Sequence, residues 1–133
     1  MKQKSEKKQK QAEILEQKKK AKKARREIVV TMDVDEEKKD PLPDTYHILL
    51  TKKIRDGVEV IRYGYGSRRN YIIIKKIHPE VRFYFKGSHK DYLRMLVIDQ
   101  KEGIFRLGDK VYKTSFTPLI QALCVYTTNG NKF

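Results

Sequence analysis

From Gly57 onward the sequence is a succession of short β-prone runs divided by turn signals: GVEVIRYG at 57–64, NYIIIKKI at 70–77, VRFYF at 81–85, YLRMLVI at 92–98, IFRLG at 104–108 and VYKTS at 111–115. Runs of this length, bounded by Gly, Pro, Asp and Ser, read as strands, and connections this short favour antiparallel neighbours. NYIIIKKI is apolar enough to be buried on both faces, and across the YGYGS turn it pairs with GVEVIRYG as a hairpin. The closing stretch TPLIQALCVYTTNG at 117–130 changes period. Thr117 is an N-cap, Pro118 suits a first helical turn, Leu119, Ile120 and Leu123 share a helical face, and Asn129-Gly130 is a stop. The pattern predicts an α+β fold, a central antiparallel sheet with a C-terminal helix.

Charge is unevenly spread. The net charge is +14, and residues 1–26 hold +9 of it, twelve Lys/Arg against three Glu. After Met1, only Ile14 and Leu15 in that stretch are large and apolar, so a helix there is expected to bury no face of its own. EIVVTMDVD at 27–35 is a short β-prone stretch, and Pro41 and Pro43 interrupt regular structure. The expected organisation is a basic arm and linker over 1–40, helical or disordered, followed by a folded domain over 41–133. Such an arm suits RNA, a nuclear-import receptor or an acidic membrane surface, or serves as a plain charged tail.

Several chemistries find no support. His47, His78 and His89 are scattered, without Cys or paired carboxylates at ligand spacing, which argues against zinc. GYGSRR lacks the spacing and the Gly-Lys-Ser/Thr ending of a nucleotide-binding loop, and no acid/base pair stands out among the eight acids of residues 41–133. The expectation is a binding protein without a cofactor, not an enzyme. The single Cys124 and the lack of any apolar run of about 20 residues point to a reducing cytoplasmic or nuclear setting, without a membrane span.

The remaining clue is Arg62. At strand periodicity it shares a face with Val58 and Val60, so a permanent charge continues an apolar surface. Either it is exposed at an edge or paired with Glu59 or Asp91, or its partner is external, a phosphate gripped by the guanidinium fork. Backbone donors, Ser67, Arg68 and Arg69 in the following turn would complete an anion nest. Tyr63, Tyr65 and Tyr71, interleaved with these arginines, could equally stack on nucleobases.

GVEVIRYG resembles the strand of Src homology 2 domains that carries the phosphotyrosine-binding arginine. YHILLTKKI at 46–54 resembles the entry segment of the Fes/Fer-like members, and GIFRLGDKVYKTSFTPLIQALCVYTTNG at 103–130 resembles the closing stretch of the same family. The resemblance implies an adaptor module for tyrosine-phosphorylated proteins or peptides; the few residues between Lys53 and Gly57 leave its first helix shortened or missing here. It implies Arg62 as the phosphate ligand, Lys52 near the phosphate, Ser67, Arg68 and Arg69 in the phosphate loop, and His89 beside the place of the pocket histidine. Two other readings compete: a basic RNA- or ribosome-associated protein that binds through the arm, and a structural interaction domain whose pocket no longer works.

Overall fold

The computed structural model describes residues 2–129, with side chains from residue 10 to residue 127. In chain order the elements are helix α1 (Lys2–Lys23), strand β1 (Glu27–Asp33), helices α2 (Val34–Lys39) and α3 (Asp44–Arg55), β2 (Glu59–Tyr65), α4 (Arg68–Ile77), β3 (Arg82–Gly87), β4 (Met95–Ile98), β5 (Glu102–Leu107), β6 (Lys110–Thr114) and α5 (Thr117–Asn129). A 3₁₀ turn at His89–Asp91 separates β3 from β4. The fold is α+β, a single six-stranded sheet in the order β3-β2-β1-β4-β5-β6.

The sheet is mixed. β4, β5 and β6 form the expected antiparallel meander, and α5 closes the chain where the Thr117-Pro118 signal put it. β1, β2 and β3 instead run parallel, so the expected hairpin is a β2-α4-β3 crossover. NYIIIKKI is therefore helix, not strand. Ser67 caps it, accepting from the Asn70 amide at 3.3 Å, and Tyr71 and Ile74, three residues apart, are its buried face. Three β-branched isoleucines in succession weigh toward a strand locally; two parallel neighbours demand a long crossover, and that tertiary requirement prevails.

The boundary at residue 41 is likewise not where folding starts. β1 lies between β2 and β4 in the sheet, and α1 packs on the face made by Ile28, Val30, Val60, Leu96 and Ile98. The inward residues of α1 are Glu13, Gln17 and Ala21, continued by Ala24 just past its end, at helical spacing and each at most 9% exposed. Small and polar residues make most of this contact, with the partly buried Ile14 beside them, so the scarcity of large apolar side chains did not prevent packing. Nor is the helix after Pro43 lost: α3 has twelve residues and buries Tyr46 and Leu50 on the same face. The opposite face carries Val29, Tyr63, Tyr65, Met95, Val97 and Phe105 beneath Ile120 and Leu123 of α5.

Candidate functional site

Arg62 does continue the apolar face of Val58 and Val60, and that face is covered. The side chain is 1% exposed, with its guanidinium 5.5 Å from the Phe83 ring centroid, and neither Nη1 nor Nη2 has a hydrogen-bond partner among the described residues. Beside it is a cavity of about 40 Å³ lined by α1, β1, α2 and α3, with Glu13, Gln17, Thr31, Glu37, Tyr46 and Tyr92 among its walls. That is room for two or three waters, not for a phosphotyrosine side chain. Burial lowers the guanidinium pKa, opposed by Tyr46 and Glu37. The neighbouring acids are engaged elsewhere: Glu13 with Arg94 at 2.7 Å and Arg106 at 3.2 Å, and Glu37 with His47 at 3.4 Å and the Leu42 amide at 2.9 Å.

The turn after β2 does hold an anion, but the anion is Asp35 of the chain itself. Its carboxylate accepts from the Ser67 amide and from Ser67 Oγ and Asn70 Nδ2, each of the latter two at 2.7 Å, and His89 Nε2 lies at 2.7 Å. Burial raises the Asp35 pKa, and these hydrogen bonds outweigh it, holding the carboxyl at about 2. Gly66, at φ +126°, is what allows the approach, since a Cβ there would stand 2.8 Å from Asp35 Oδ2.

The six residues expected to share one phosphate are thus dispersed. Ser67 and His89 meet, through Asp35. Arg68 is exposed in the first turn of α4 over the Phe85 ring, at 4.6 Å, and Arg69 is exposed beside it. Lys52 is exposed near the end of α3, which feeds the start of β2, whereas Ser67 follows its end. Seven extended residues separate those ends by about 20 Å. Arg62 lies under the helices between them. The tyrosines are not free to stack on bases either: Tyr65 is fully buried, Tyr71 donates to the Phe83 carbonyl at 2.7 Å, and Tyr63 stacks on Tyr84.

Lys52 belongs to a different assembly. Glu27 and Glu59 are in register, so the entries to β1 and β2 lie side by side, and the ends of α1 and α3 converge there. Buried Ala21 and Ala24 turn Lys22, Lys23, Arg25 and Arg26 to solvent. Lys53 Nζ donates to the carbonyls of Lys22 and Ala24, satisfying the end of α1. From the β4–β5 turn, Asp99 accepts from the backbone amides of Arg25 (3.0 Å), Arg26 (2.7 Å) and Glu27 (3.0 Å). Burial raises the Asp99 pKa, and these donors more than reverse that. Asp99 so fixes the backbone of the Arg-Arg pair while leaving both guanidinium groups outward. With Lys52 and Arg55, six exposed cations occupy this end, and none forms a salt bridge among the described residues. The sequence showed the basic run but not its joining to Lys52 and Arg55, a consequence of the parallel β1–β2 pairing.

No family model and no curated protein sequence matches the chain. Among solved structures it resembles TrmBL2, an archaeal chromatin protein whose structure is described as showing a novel mode of DNA binding. The TM-score is 0.56 at 16% identity, over 83% of this chain and 44% of that one. The chain thus spans under half the length of that structure, and the likeness concerns the fold. Among the described residues no helix is long and apolar enough to cross a membrane.

Proposed function

We propose that this chain is a nucleic-acid-binding protein, not an enzyme, and that it contacts the phosphate backbone through the basic end built by Lys22, Lys23, Arg25, Arg26, Lys52 and Arg55. The observation that carries the reading is the convergence of these six exposed cations, from two helix ends, on a backbone held by Asp99 and Lys53. Ordered cations lose less freedom on binding than those of a flexible tail. The fold shared with a chromatin protein described as binding DNA supports the same direction. Contacts of this kind carry affinity and register rather than base specificity. A cytoplasmic or nuclear setting follows from the reading, together with the single half-buried Cys124.

Phosphotyrosine-peptide binding is the second reading; the pair of unpartnered Arg62 nitrogens is the observation in its favour, and the cavity of about 40 Å³ beside them, too small for a phosphotyrosine side chain, weighs against it. One assay addresses both: fluorescence anisotropy with duplex DNA, single-stranded RNA, and a phosphotyrosine peptide beside its unphosphorylated twin, each at two salt concentrations. Salt-sensitive binding of nucleic acid with no preference between the peptides is expected. Phosphate-dependent peptide binding abolished by Arg62→Ala in a folded variant would reverse the order of the two readings.

A further inference from the structure

Two of the three histidines, distant in sequence, meet in space. His47 lies near the start of α3, and His78 caps the C-terminus of α4; their imidazoles stack with centroids 4.0 Å apart and planes 13° from parallel. Glu37 of α2, 8% exposed, completes the group, and one ligand atom from each of the three lies within 4.8 Å of the others. We propose that Glu37, His47 and His78 form a binding site for a divalent transition-metal ion of the zinc type.

Four features carry this. Two imidazoles and a carboxylate are a donor set that zinc and its neighbours accept, with further positions left to water. Glu37 Oε2 stands 3.4 Å from His47 Nε2, close to the edge of about 3.3 Å that joins two ligands of a tetrahedral ion with bonds near 2.0 Å. The other carboxylate oxygen accepts from the Leu42 amide at 2.9 Å, the kind of outer hydrogen bond that orients a metal-binding carboxylate. The cluster opens on a cavity of about 210 Å³ whose walls include Asp44, one helical turn before His47, which supplies an entry path and a further carboxylate. Because imidazole lone pairs lie in the ring plane, the nearly parallel rings must turn out of their stack for both to reach one ion. The charge of Arg62, which also acts on His78, opposes a cation here, and the carboxylate of Glu37 acts on both groups in the opposite sense.

The test is a cobalt(II) titration of the full chain followed by visible absorption, with zinc(II) as competitor. One-to-one binding with the ligand-field bands of a four- or five-coordinate ion is expected, displaced by zinc. His47→Ala and His78→Ala should each weaken it at least about tenfold, the scale that even outer partners of a site carry. A second group, Asp33, Asp35 and His89, is the rival, so His89→Ala should leave the titration unchanged. Nitrogen-15 shifts of the His47 and His78 rings in the unmodified protein give the same readout without relying on a variant's folding. No binding at millimolar metal, or binding lost in His89→Ala but kept in His78→Ala, would overturn the proposal.

Discussion

Lys53 reaches from the last turn of one helix to the end of another: its Nζ donates to the carbonyl of Lys22 at 2.6 Å and to that of Ala24 at 2.9 Å. The contact joins the basic run at the start of the chain to the basic end of α3. It turns two separate features of the sequence into one surface, and the basic helix into a part of the fold.

If α1 belongs to the fold, its buried acid is a structural group. Glu13 has 7% of its side chain exposed and pairs with both Arg94 and Arg106. Glu13→Ala leaves two partly buried guanidinium groups without it, at a cost of roughly 3–5 kcal/mol. Urea denaturation should show the midpoint falling accordingly; an unchanged midpoint would mean that α1 is a loose arm after all.

Arg62 is predicted to weaken the fold that holds it. A 1%-exposed guanidinium with two unpartnered nitrogens carries a desolvation cost that a similar-sized apolar residue does not. Arg62→Met should therefore raise the unfolding free energy read from urea denaturation by about 1–3 kcal/mol, with nucleic-acid affinity unchanged. A loss of comparable size would show that water or the charge of Glu37 satisfies the guanidinium.

Asp35 makes the stability of the chain acid-sensitive. Its folded pKa of about 2 lies below the ordinary value of 3.8, so the hydrogen bonds from Ser67, Asn70 and His89 stabilise the fold fully above pH about 4. That stability is lost as pH falls through the folded pKa. Thermal melts from pH 6 to pH 2 should decline over this window, and Asp35→Asn should be less stable at pH 6 and decline less. Parallel curves for the two proteins would contradict the assignment.

Much of the sheet is legible in the sequence. β2, β4, β5 and β6 and the helix from Thr117 follow from apolar runs, turn residues and the Thr-Pro cap. What is not legible depends on partners far along the chain. The packed face of α1 has Glu13 in place of a large apolar residue, and its counterion Arg94 lies 81 positions away. NYIIIKKI carries a capping serine, but its three isoleucines speak more strongly for a strand until the parallel pairing of β2 and β3 is known. The charge of Arg62 on an apolar face is visible; that α1 and α3 roof that face is not. His47 and His78 look scattered because only the crossover through α4 brings them together.

The central claim is tested most directly by the salt dependence of duplex DNA binding, as the slope of log affinity against log salt. The protein is compared with a variant carrying Arg25→Ala, Arg26→Ala, Lys52→Ala and Arg55→Ala, and with a second carrying Arg68→Ala, Arg69→Ala, Lys75→Ala and Lys76→Ala on the exposed side of α4. The account predicts that the first variant's slope flattens by about one unit per phosphate contact removed, and that its affinity falls across all sequences. The second should keep the slope of the unmodified protein. The opposite pattern, or no measurable binding by the unmodified protein at low salt, would contradict the claim.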